Sequence, residues 1–253
     1  MIYTLNDTDR ARDIFAGWEE TLIWSCLDNV MGRIYVTDPE RPASACAHVG
    51  AFCLYAGIPS EELVRSRPDG FIIMIPRDEA WGRLIEACYP GAIRRTRYAI
   101  RKDTRFDAAA LKRNLALLPD GYALREIDGA LHDRCLENPV TADFVSAFGG
   151  KDNYLKLGRG FVILRDGNIV SGASSYTRYR DGIEIEVETV EGERGKRLAT
   201  VACSALILRC LSENLYPSWD ASSMLSVRFA EKLGYEYAHD YTAYEVAPER
   251  RTH

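Results

Sequence analysis

Three carboxylates alternate along one short stretch, Glu184, Glu186 and Glu188, and a basic run comes soon after, Arg194-Gly195-Lys196-Arg197-Leu198-Ala199-Thr200. Side chains two apart on a strand share a face, so the acids form one row. Clustered carboxylates raise one another's pKa, which suits a base that takes a proton from an ammonium near neutral pH. Glu184 and Glu186 are favoured over Glu188 for that role, and a solvated face is the competing reading. The basic run reads as a turn that opens a helix. Amides at a helix start point outward unpaired, and the helix dipole adds partial positive charge there. This makes an anion site that a diphosphate fits. Arg194, Lys196 and Arg197 can add charge-assisted bonds.

The strand, turn and helix from Ile183 to Thr200 resemble motif A of the GNAT superfamily, Q/R-x-x-G-x-G/A, with Arg194 first and Ala199 last. Downstream, Trp219-Asp220-Ala221, Ser226, Ala230-Glu231-Lys232 and Leu233-Gly234-Tyr235 resemble the family's segment N-x-x-S/A followed by K-x-G-F/Y. The pairing of P-S-W-D-A with A-E-K-L-G-Y resembles a two-domain bacterial branch. The resemblance implies an N-acyltransferase that moves an acetyl group from acetyl-CoA to a primary amine of a small molecule by direct attack. It implies Val187, Thr189, Arg194, Gly195, Lys196, Arg197, Leu198, Ala199, Thr200, Ser223 and Ser226 at the cofactor. It also implies that strand 183–189 splays from its neighbour and offers a backbone N–H to the oxyanion. Two positions depart from the pattern: Arg197 replaces the central glycine, and Ala230 replaces a tyrosine that protonates the departing thiolate in many members. Ser223 stands where the second segment usually has asparagine. Two rival functions stay open: acyl transfer from aminoacyl-tRNA, and CoA sensing without turnover.

Other reactive types have quieter readings. Trp219 suits the core, and Asp220 suits the cap of the helix just after it. Tyr235, Tyr241 and Tyr244 are candidate acids, although aromatic residues in closing strands usually pack. Cys203 lies inside the motif helix, where packing is the better reading. The seven cysteines are scattered without a C-x-x-C, which points to reduced, buried thiols. The four histidines lack ligand spacing, so no metal is expected.

The elements that must position these residues are set by periodicity and punctuation. The first half reads as a helix over Thr8–Met31, strands at Arg33–Val36, Ala45–Val49 and Phe52–Tyr55, and a short helix capped by Ser60. A buried strand at Phe71–Ile75, a helix from Asp78 to Cys88, a strand at Ala92–Ile100 and a helix at Phe106–Leu117 complete it. After Pro119-Asp120-Gly121 come a strand at Tyr122–Ile127 and short helices at Ala130–Leu136 and Lys151–Leu157. A hairpin around Asp166-Gly167 and the strand 183–189 come next. The motif helix runs from Arg197 to Glu213, and a helix over Ser222–Leu233 ends at Gly234. Strands at Tyr235–Tyr237 and Tyr241–Val246 close the chain. The expected class is α/β (α+β), with a mixed, mostly antiparallel sheet flanked by helices over 119–253. A smaller α/β domain over 1–118 shapes the acceptor pocket or copies the same fold in degenerate form.

The chain has 253 residues, 27% of them charged, and a net charge of −5. That balance argues against nucleic acid as the main partner. No basic start precedes an apolar run, and no apolar stretch approaches the ~20 residues of a span. A cytoplasmic protein with no membrane partner, monomeric or homodimeric, is the expectation.

Overall fold

The computed structural model describes residues 1–248. Its elements in chain order begin with β1 (Tyr3–Leu5), α1 (Thr21–Leu27), β2 (Arg33–Val36), β3 (Ser44–Val49), β4 (Phe52–Gly57), α2 (Glu61–Arg65) and β5 (Ile72–Pro76). Next come α3 (Glu79–Cys88), β6 (Ile93–Ile100), α4 (Ala108–Leu115), β7 (Tyr122–Glu126), α5 (Gly129–Leu136) and α6 (Lys151–Leu157). The remainder is β8 (Gly160–Arg165), β9 (Asn168–Tyr179), β10 (Gly182–Thr189), α7 (Leu198–Ser212), β11 (Tyr216–Ser218), β12 (Asp220–Ala221), α8 (Met224–Lys232) and β13 (Tyr237–Val246). Two compact units result: Met1–Arg97 together with the residues from Asp240 on, and Tyr98–His239.

In the first unit β1, β2, β3 and β4 pair antiparallel in sequence, β5 joins β4 in parallel, and β13 lies antiparallel to β5. Caps set the helix starts. Ser60 accepts from the Leu63 N–H, and Asp78 accepts from those of Ala80 and Trp81, each satisfying donors that a helix start leaves open. Tyr55 stacks on Trp81 at 5.3 Å in a core that includes Met74 and Ile85. The periodicity over 8–31 does not yield one helix. Two 3-10 turns, Thr8–Ala11 and Asp13–Phe15, precede α1, because Gly17 takes the left-handed φ of +68° and breaks the run. Thr8 Oγ1 then donates to the Leu27 carbonyl at 2.7 Å and folds the turns back on α1.

In the second unit β7, β8, β9 and β10 pair antiparallel and β11 joins β10 in parallel. Asp166 and Gly167 both take positive φ in the two-residue turn between β8 and β9, as an Asp-Gly hairpin requires. α7 packs Leu198, Val201, Ala202 and Leu206 against Ile163, Ala173, Ile183 and Ile185 of the sheet. Each large aliphatic chain so buried contributes roughly 1.5–3 kcal/mol. α4 belongs to this unit. Leu111 joins the same core, and Asn114 donates to Ser204 Oγ on α7 at 3.0 Å. Residues 98–118, grouped by sequence with the N-terminal half, therefore fold with the segment beyond Pro119. The chain closes on one ten-residue strand, β13, where two were expected.

Candidate active site

β10 positions the acids. β9 pairs with it from Gly182 to Thr189, whereas β11 pairs only with Gly182, Ile183 and Glu184. After Ser218 the chain leaves β10, and Asp220 and Ala221 pair instead with Ala99 and Tyr98 of β6. β10 is thus open on one side from Ile185 onward among the described residues, which is the expected splay. The Val190 amide donates to the Val170 carbonyl at 2.9 Å. By the alternation of an antiparallel ladder, the amide of Val187 then faces the open side. The Thr189 amide is already used, donating to Glu188 Oε1 at 2.8 Å.

Ile183, Ile185 and Val187 face α7, which puts Glu184, Glu186 and Glu188 together on the opposite face. Glu184 is 6% exposed, while Glu186 and Glu188 are half-buried. Glu188 accepts from Arg194 Nη2 at 3.2 Å, which ties it to the turn. Across the ladder, Ser174 lies opposite Glu186 and Gly172 opposite Glu188. Ser174 Oγ donates to the Phe144 carbonyl at 2.6 Å, so the Tyr154 hydroxyl, 2.9 Å away, donates to Ser174. A Cβ on Gly172 would sit 2.7 Å from the Phe144 ring. These contacts seat the two 3-10 turns Ala142–Phe144 and Ser146–Phe148 on β9, beside the glutamate row. Periodicity alone assigns no structure to that segment.

The start of α7 is left open. Arg197 occupies the N-cap with φ +63° and no side-chain cap bond, and Gly195 takes φ +80°. The Arg194 amide donates to Glu191, and the Val201 amide to Arg197. Between them, the amides of residues 195–200 find no acceptor among the described residues. Arg197 stands at the family's glycine position. It is a left-handed position, which a side chain occupies at a cost of about 1–2 kcal/mol.

All of residues 195–200 but Lys196 border a cavity of about 1180 Å³, lined on one side by Val187, Thr189, Arg194, Gly195, Arg197, Leu198, Ala199 and Thr200. Ser222, Ser223, Leu225, Ser226, Arg228, Phe229 and Lys232 line the other side. Every expected cofactor residue but Lys196 is on these walls. Lys196 turns back, donating to Glu193 at 2.8 Å and to the Tyr122 hydroxyl at 3.2 Å. Tyr122 and Arg165 also donate to Glu193, at 2.5 and 2.8 Å. The Lys196 bond, then that of Tyr122, draws the Glu193 carboxyl down to about 2. The stability this lends is present above the usual carboxylate range and is lost as pH falls through about 2. Only the i, i+3 spacing of Glu193 and Lys196 signals this tether in the sequence.

Ser223 and Ser226 also hold local jobs. Ser223 caps α8 by accepting from the Ser226 amide at 3.2 Å, and Ser226 accepts from Trp219 Nε1 at 3.2 Å. The cap is therefore Ser223; Asp220 is engaged in the β12–β6 pairing. Trp219 is buried, as expected. Tyr235 donates to the Pro217 carbonyl at 2.6 Å, and burial pushes its pKa well up, so it is no acid for this cavity. Tyr244 lies in the first unit and donates to Glu86 at 2.8 Å. Tyr241 lies in that unit too, where its hydroxyl accepts from Arg97 Nε at 3.3 Å. Burial raises the Cys203 thiol, and all seven cysteines are free and buried. Ala230 is core. No helix among the described residues is long and apolar enough to cross a membrane.

A strand forking from its neighbour beside an uncapped, acceptor-less helix start defines an acyltransferase fold, and the chain belongs to the GNAT acetyltransferase family, whose model matches residues 12–244. It is similar to the uncharacterized N-acetyltransferase YdfB of Bacillus subtilis, 23% identical over 88% of this chain and 89% of that protein. The crystal structure of a GCN5-related N-acetyltransferase-like protein from Streptococcus suis superposes with a TM-score of 0.90 at 43% identity, covering 94% of this chain and 98% of that one. A tandem GNAT protein from the clavulanic acid biosynthesis pathway shares the fold at 11% identity, with a TM-score of 0.54 over 98% of both chains.

Proposed function

We propose that the second unit transfers an acetyl group from acetyl-CoA to a primary amine of a small molecule by direct attack. The run of acceptor-less amides at residues 195–200, where five of the six residues line the cavity, supports this most. A diphosphate takes donors of this kind at a helix start. A Cβ on Gly195 would meet nothing within 4 Å, so the approach to the amides is clear. Acetyl-CoA supplies the thioester to be attacked. Glu186, half-buried on the row beside the fork, takes the proton of the amine, with Glu184 buried behind it. The Val187 amide, on the open edge, stabilises the carbonyl oxygen as charge develops there. The net charge of −5 speaks against an aminoacyl-tRNA donor.

A second reading, CoA binding without turnover, draws support from Ala230. It is packed in the core where many relatives place the thiolate's proton donor. A thermal scan with acetyl-CoA at 100 times its Kd should show roughly 2.7 kcal/mol of added stability. No shift at all would remove the donor site. A shift without thiol release across a panel of primary amines would favour the sensor.

A further inference from the structure

The cavity has a second wall whose chemistry differs from that of the α7 amides. Leu225, Arg228, Phe229 and Lys232 of α8 all line it. Their i, i+3, i+4, i+7 spacing puts them on one helix face. Leu225 is 78% exposed, a large aliphatic side chain left uncovered by the described residues. Arg228 and Lys232 make no ion pair or side-chain hydrogen bond among the described residues. The acids across the cavity differ: Glu188 is held by Arg194, and Glu193 by Arg165 and Lys196. Glu231 also lines the cavity without a partner among the described residues. An excess of uncompensated positive charge therefore sits beside an apolar plate.

An apolar plate flanked by two cations fits a purine nucleotide that carries a phosphate monoester. The ring covers Leu225 and Phe229. The monoester, nearly doubly charged at neutral pH, meets Arg228 and Lys232. We propose that this face of α8 reads the 3′-phosphate at the nucleotide end of the donor, so that coenzyme A is bound in preference to 3′-dephospho-coenzyme A. The proposal rests on the reading of this cavity as the donor site.

Isothermal titration of the full chain with coenzyme A and with 3′-dephospho-coenzyme A tests it. The wild type should bind coenzyme A about tenfold more tightly, a preference that shrinks with added salt. The double variant Arg228→Gln/Lys232→Gln should bind both ligands alike, near the wild-type affinity for the dephospho form. Both positions are exposed, so an unchanged melt is expected and confirms the fold. Equal wild-type affinities, or a preference that survives the double variant, would overturn the proposal while leaving the donor site standing. Binding of neither ligand would overturn the donor site itself, and this proposal with it. Leu225→Ser should weaken both ligands by the same roughly threefold to tenfold factor. An effect on one ligand alone would show that the ring does not rest on Leu225 and would overturn the apolar plate.

Discussion

In the first unit three antiparallel pairings, from β1 to β4, are followed by a parallel one to β5; in the second, β7 to β10 are followed by a parallel one to β11. Each fourth strand leads to a helix, α2 after β4 and α7 after β10. α2 has five residues, Ser60 closes its Leu63 amide at 3.4 Å, and Glu61 and Glu62 fill its first turn. α7 has fifteen residues, no side-chain cap and no acid in its first turn. β4 carries no carboxylate, whereas β10 carries three. The strand layout alone therefore does not make a donor site. The proposed donor site needs an uncapped helix start without acids, and of these two helices only α7 has one. One acetyl-CoA per chain is the expected stoichiometry.

The comparison can be broken at each of these differences. Glu186→Gln removes the acid that β4 lacks. It should lower kcat by about 10²–10⁴-fold, leave the acetyl-CoA Kd unchanged and recover partly at high pH, where free amine is abundant. If Glu184→Gln and Glu186→Gln both keep the full rate and pH profile, the row takes no part in proton transfer. Gly195→Pro removes one amide and cannot reach φ +80°, so binding should weaken by about 100-fold or more. Residual tight binding at a whole site per chain would place the donor elsewhere. Ala199→Glu gives α7 the acidic first turn of α2 and should cost about tenfold in Kd, less at high salt. Arg197→Gly should stabilise the fold by about 0.5–1 kcal/mol by relieving a left-handed side chain, with binding intact. Abolished binding would make the arginine side chain itself a phosphate ligand.

What the sequence made legible was local. Alternation located β10, Ser60 and Asp78 announced the starts of α2 and α3, and Asp166-Gly167 announced the hairpin. The motif run marked the cavity wall because amides at a helix start need no tertiary partner to be exposed. The features that stayed hidden depended on distant residues or on backbone angle. Arg197 reads as a side chain in the way of a ligand until its φ of +63° shows why glycine is the family's choice. Asp220 reads as the cap of α8 by spacing, but it pairs with Ala99 and Ser223 takes the cap instead. Lys196 sits in the same run as Arg194, yet Glu193 and Tyr122 turn it away. Pro119 is a true local break, but α4 before it is claimed by α7.

β13 carries one more implication. It aligns Tyr244 with Met74 and Val246 with Ile72, so the part of β13 that pairs with β5 comes after the whole second unit. During synthesis β5 emerges with its neighbour on that side still unmade, and such an edge invites pairing with other chains. Joining ends this far apart costs little more than joining near ones, since closure entropy grows only logarithmically with length. The delay is thus a kinetic exposure more than a thermodynamic burden. The order of completion reverses the order of synthesis: the half encoded first stays unfinished until the half encoded second has been made, and β13 acts as the latch that closes it.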